Sequence, residues 1–179
     1  FFLIIMIILG IESTAHTFGV GIIEAGKNSI KILADERDSY SSKDIGMIPD
    51  QIADHHKKFA DMVIKRALEE AKMPLEDIDL VSYSAGPGLD PSLWVGYHKA
   101  KELADKYGKK LIPVNHCAAH LSIGKIINKV EDPAFLYVSG VNTQIIVSDG
   151  GKYRIIGETL DIGLGNMLDK FGRFLGLGF

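Results

Sequence analysis

The sequence predicts an α/β fold built on a mixed sheet, and three observations carry that expectation. The chain opens with three strand-like runs joined by short turns. Helical and strand patterns then alternate. From Asp132-Pro133 the same order begins again, with three more strand-like runs and a helix. Strands joined by tight turns pair antiparallel, whereas strands separated by helices pair parallel through right-handed crossovers. A sheet with both kinds of pairing follows. The second half starts a repeat of the first and does not complete it.

Each element has a local reason. Residues 1–9 (FFLIIMIIL) are an unbroken apolar run. The run is too short to span a bilayer, which takes about 20 apolar residues. A signal peptide would need a basic start and a small-residue cleavage site, but Gly10-Ile11-Glu12 follows directly. The run reads as a fully buried first strand, and Met6 could be the true start. Residues 17–24 and 29–38 read as the second and third strands, with Ala25-Gly26-Lys27-Asn28 as the turn between them. Residues 39–48 read as a loop containing Ser41, Ser42, Asp44 and Gly46.

Pro49 sits where a helix can begin. From Asp50 to Lys72, Ile52, Phe59, Met62, Val63, Ala67 and Ala71 recur at helical spacing. Residues 78–84 form a short buried strand, broken by Gly86-Pro87-Gly88. Pro91 opens a second helix that ends near Tyr107. Residues 110–115 form a strand that runs directly into a helix carrying His116 and His120. In the second half, residues 134–139, 143–148 and 152–160 read as strands, followed by a helix from Asn166 to Leu175. The expected units are a first lobe over 1–131 and the start of a second over 132–179.

Composition narrows the class. A net charge of −3 and 46% apolar residues exclude a disordered chain. Cys117 is the single cysteine, which excludes a disulfide scaffold and points to a reduced, cytoplasmic setting. The mild acidity excludes a uniformly basic nucleic-acid platform.

Three motifs carry chemistry. Gly10-Ile11-Glu12-Ser13-Thr14 reads as a turn after the first strand that offers N–H groups and hydroxyls to an anion. Ser139-Gly140-Val141-Asn142-Thr143-Gln144 stands at the equivalent strand end of the second half. Both patterns also serve as plain turns. In His116-Cys117-Ala118-Ala119-His120 the histidines are four residues apart, so on a helix they share a face and can reach one ion. A metalloprotease helix would need Glu after the first His; Cys117 stands there and disfavours that chemistry. His55 and His56 are adjacent, point about 100° apart, and read as one half-buried and one exposed side chain. Trp94 and Tyr97 read as packing groups, Gly86-Pro87-Gly88-Leu89 as a loop or a close backbone approach, and Asp161 and Asp169 as solvated acids.

Taken together, GIESTAHT, ADHH, GPGL-x-PSL, PVNHCAAH, YVSG-x-NTQ and GETLDIGLGNMLDKFGR stand in the order and spacing of the TsaD family. That family includes the catalytic subunit of the archaeal and eukaryotic KEOPS complex. The chain resembles it from Met6 to Phe179. The resemblance implies an actin-like ATPase (ASKHA, ribonuclease-H-like) fold, here with a complete first lobe and a truncated second. It implies transfer of threonylcarbamoyl from threonylcarbamoyl-AMP to N6 of the adenosine beside the anticodon in tRNA. By match it implies a divalent iron or zinc ion on His116 and His120 with Tyr137. It implies an adenine nucleotide (threonylcarbamoyl-AMP or ATP) near Ser13, Thr14, Tyr137, Val138, Ser139, Gly140, Val141, Asn142 and Asp169. Partners implied are tRNA and the kinase-like and small subunits of a KEOPS-type complex, with no membrane. No residue is nominated as general acid or base.

Three positions depart from the family pattern. Val141 replaces a second glycine and is expected to add a clash and strain if that residue needs positive φ or touches the nucleotide. Asp50 replaces a basic residue after Pro49. The family continues past this point with Pro-Gly-Gly and a further aspartate ligand, so the chain reads as an N-terminal part that is inactive alone. The alternative function is a non-catalytic actin-like partner or scaffold of the same complex; the histidine pair argues against it.

Overall fold

The computed structural model describes residues 5–27, 29–41 and 47–177. Residues 1–4 of the first apolar run, Asn28 of the expected turn, and Ser42, Asp44 and Gly46 of the expected loop lie outside them. The chain divides into two compact units, Phe1–Ala119 and His120–Phe179.

In the first unit, strands β1 (Met6–Glu12), β2 (Thr17–Ala25) and β3 (Ile30–Ser39) form the expected meander. Helix α1 (Pro49–Ala71) is followed by a 3₁₀ turn (Leu75–Asp77), β4 (Leu80–Gly86), α2 (Asp90–Tyr107) and β5 (Lys110–Asn115). The sheet order is β3-β2-β1-β4-β5. The pairs β1–β2 and β2–β3 are antiparallel, and β1–β4 and β4–β5 are parallel. The expected mixed sheet is therefore present, with β1 at its centre.

Strand β1 corrects one expectation. It continues through Gly10, Ile11 and Glu12, which had read as a turn. The ladder carries on because Gly10 pairs with Gly21 and Glu12 with Gly19, so neither position crowds its partner. Nor is the strand fully buried. Leu9 and Ile11 lie in the core, whereas Ile8, Gly10 and Glu12 on the alternate face are half-buried.

The core packs Leu9, Ile11, Phe18, Val20, Ile22 and Val81 of the sheet against Ala60, Val63, Ile64 and Ala67 of α1 and Ala100, Leu103 and Ala104 of α2. The inward face of α1 differs from the expected one. It runs through Ile52, His56, Ala60, Val63, Ile64 and Ala67, while Met62 is exposed and Phe59 half-buried. The histidine pair is corrected with it. His56 is fully buried and His55 half-buried. His56 Nε2 donates to the Ala15 carbonyl at 2.8 Å, and His55 Nε2 meets Asp38 Oδ1 at 2.7 Å. Apolar patterning missed His56 because a polar ring with one satisfied nitrogen fills a core position as an aromatic would.

Helix α3 (His116–Asn128) follows β5 without a loop. In the second unit, β6 (Ala134–Val138), β7 (Thr143–Asp149) and β8 (Lys152–Glu158) form an antiparallel meander, and α4 (Leu164–Phe174) follows. The last strand ends two residues before its expected limit, and α4 starts two residues early. Gly163 supplies the extended residue before the helix, and the Thr143 hydroxyl accepts the Leu164 N–H at 2.8 Å.

Candidate metal and nucleotide site

Parallel pairing brings the carboxyl ends of β1, β4 and β5 side by side in the first unit. Glu12, Ser84 and His116 stand at those ends and form one hydrogen-bonded cluster with Thr14. Glu12 Oε1 accepts the Thr14 N–H at 2.8 Å and also the Thr14 hydroxyl. Glu12 Oε2 accepts the Ser84 hydroxyl and lies 3.2 Å from His116 Nδ1. Thr14 Oγ1 is 3.4 Å from the same nitrogen. Burial alone would raise the Glu12 pKa, but the hydrogen bonds from His116, Ser84 and Thr14 outweigh it and hold the carboxyl at about 2. Glu12 is thus a carboxylate with several donors directed at it.

Ser13 and Thr14 are buried. The Thr14 carbonyl accepts the Leu89 N–H at 2.7 Å, which ties the bend after β1 to the start of α2. The Gly86-Pro87-Gly88 loop is a close backbone approach. A Cβ on Gly88 would lie 2.6 Å from the Thr14 carbonyl oxygen.

His120 lies one helical turn beyond His116 on α3 and is exposed. Within the second unit its ring meets that of Tyr137 edge-on, with centroids 6.0 Å apart. Tyr137 and Val138 end β6 and lead into a tight turn. The Ser139 N–H donates to the Asn142 carbonyl at 2.8 Å, and Ser139 Oγ accepts the Asn142 N–H at 2.9 Å. The start of α4 is seated on this turn. The Gly165 N–H donates to the Ser139 carbonyl at 3.1 Å, and the Asn166 N–H to the Gly140 carbonyl at 3.0 Å. Asp169 is an exposed residue of α4.

The positive φ that would strain Val141 is absent. Its φ is negative and its side chain is 80% exposed. Asp50 is exposed in the first turn of α1, where the helix dipole favours an acid.

Several residues of this region were not singled out from the sequence. Ser84, Gly163 and Gly165 are the clearest. The glycines carry a signal in retrospect, since GLG directly before a helix pattern marks a close approach. Ser84 carries none, because only strand register brings it to Glu12. Among the described residues no group of three or more His, Cys, Asp or Glu is arranged to hold a metal ion. Imidazole and phenol side chains such as those of His116, His120 and Tyr137 are of the donor types that zinc and iron accept.

The sheet order, with three antiparallel strands followed by parallel ones on a single core, defines an actin-like, ribonuclease-H-like fold. Solved structures of that class agree. YeaZ from Pseudomonas aeruginosa matches with a TM-score of 0.57 at 14% identity, over 86% of this chain and 66% of that one. Component A of (R)-2-hydroxyglutaryl-CoA dehydratase from Acidaminococcus fermentans matches with a TM-score of 0.56 at 16% identity, over 96% of this chain and 55% of that one. A family model described as TsaD, tRNA N6-adenosine threonylcarbamoyltransferase, matches residues 30–179. The chain belongs to the TsaD family. A protein of that description from Sulfurisphaera tokodaii is 50% identical over 172 residues, covering 96% of this chain and 51% of the relative. The chain spans about half the length of the curated relatives it matches.

Proposed function

We propose that this chain is part of a tRNA N6-adenosine threonylcarbamoyltransferase. The observation that carries the reading is the family match over residues 30–179, which includes both histidines. In the proposed reaction the N6 amine of the adenosine beside the anticodon attacks the carbamoyl carbon of threonylcarbamoyl-AMP. The bond from that carbon to the phosphate oxygen breaks, AMP leaves, and the amine loses a proton to solvent.

His116, His120 and Tyr137 are the proposed ligands of one iron or zinc ion. When bound, such an ion supplies Lewis-acid stabilisation of charge developing on the donor's oxygens. The nucleotide is assigned to Ser13-Thr14, to residues 137–142, and to Asp169. The Ser139–Asn142 turn is held by its own hydrogen bonds and by α4, so it is pre-organised before any ligand arrives. The exocyclic amine is a weak nucleophile, and orientation supplies much of the rate.

The proposed setting is the cytoplasm, with tRNA as substrate and kinase-like and small KEOPS-type subunits as partners. No helix among the described residues is long and apolar enough to cross a membrane. With a net charge of −3, part of the tRNA surface is assigned to the partners. Restoration of N6-threonylcarbamoyladenosine in a deficient strain by the full-length gene tests the reading. Failure with well-expressed protein and its partners present overturns it.

A further inference from the structure

Glu12 ends the central strand of the first unit's sheet and is not among the proposed metal ligands or nucleotide contacts. Both oxygens of its side chain act as hydrogen-bond acceptors. Oε1 is occupied by the two Thr14 donors and Oε2 by the Ser84 hydroxyl. His116 Nδ1, at 3.2 Å from Oε2, must therefore be the protonated nitrogen of its ring for the contact to be attractive. A neutral imidazole with its proton on Nδ1 keeps its lone pair on Nε2. A histidine ligand oriented by a carboxylate in this way is a more basic and better-aimed donor.

We propose that Glu12 is a positioning residue for metal binding. It fixes His116 in the Nδ1–H tautomer and presents Nε2 as the metal-binding nitrogen, while Thr14 and Ser84 hold the carboxylate in place. The inference rests on the reading of His116 and His120 as ligands. Its structural half, the tautomer, stands on the first unit alone.

The test uses the full-length protein with histidine ¹⁵N labels, stripped of metal and then titrated with cobalt(II) or zinc(II) alone. In the metal-free wild type, the ¹⁵N shifts of His116 are expected to show the proton on Nδ1. Glu12→Gln, which puts an amide N–H₂ among the donors of Thr14, Ser84 and His116, and Glu12→Ala are expected to weaken cobalt binding about 10–100-fold. Both should shift His116 toward a tautomer mixture. The thermal midpoints of the metal-free variants separate lost positioning from lost folding, and Glu12→Asp is expected to recover part of the affinity. A wild-type His116 protonated on Nε2 overturns the proposal, as does unchanged cobalt affinity in both folded variants. The His120→Ala variant separates the two readings. If wild-type cobalt binding is absent or insensitive to that change, the ligand assignment fails. The His116 tautomer in wild type and Glu12 variants then still decides whether Glu12 sets it.

Discussion

Gly96 of α2 passes so close to Ser13 that a Cβ built on it would lie 2.0 Å from the Ser13 hydroxyl and 3.0 Å from its Cβ. Ser13 is itself fully buried and cannot swing into solvent. The bend after β1 is therefore shaped by the helix that crosses it. Gly96→Ala is expected to destabilise the protein by about 1–3 kcal/mol through overpacking. Urea unfolding of the two forms measures this, and equal midpoints would show that the bend yields freely.

His56 gives the protein a defined acid sensitivity. Burial pushes its pKa down from the ordinary 6.5, the bond to the Ala15 carbonyl works the other way, and His55 and His16 add to the lowering. A histidine lowered in the fold is neutral there and takes up its proton more readily once unfolded. Its contribution is thus fully present above the ordinary value and is lost as pH falls below it. Stability should drop as pH falls below about 6.5, and His56→Leu should flatten that part of the profile. Parallel profiles for the two proteins would refute the assignment.

Gly163 and Gly165 let α4 rest on the Ser139–Asn142 turn. A Cβ at Gly163 would lie 2.5 Å from the Val141 carbonyl carbon, and one at Gly165 would lie 2.8 Å from the Gly140 Cα. Both obstacles are backbone, so the helix start must move. Gly163→Ala or Gly165→Ala is expected to cost about 1–3 kcal/mol. Either should speed exchange of the Asn166 amide hydrogen, which bonds to the Gly140 carbonyl. Unchanged exchange would mean that the turn and helix are not coupled.

Val141 is expected to be a tolerated departure. Its exposure and negative φ leave nothing for a glycine to relieve. Val141→Gly should lower stability by less than about 1 kcal/mol, the entropic cost of a freer unfolded chain. A gain of that size on calorimetry would reveal strain.

Much of this was legible in the sequence because it was local. The meander, the alternation after it and the i,i+4 histidines are periodic patterns, and the structure places elements where those patterns lie. What escaped was set by pairing between distant segments. Glu12 read as a turn residue because nothing near it announces that Gly19 and Gly21 continue the ladder. The full burial of His56 was missed because an apolar-face count gives no weight to an imidazole with a carbonyl waiting for it. Ser84 was silent because its role exists only once β4 lies beside β1. The site residues carried over by resemblance to the family came from motifs, not from physics the chain displays by itself.

The Glu12 cluster also says something about the order in which the chain acquires structure. Ser84 is 72 residues from Glu12 in sequence and His116 is 104. No hairpin or single helix can assemble it. It forms when β4 and β5 add in parallel to the meander, and such long-range pairings carry the largest loop-closure cost and form slowly. The environment of His116 is therefore a marker of the completed first sheet. A probe of that ring would report when β4 and β5 have joined the meander.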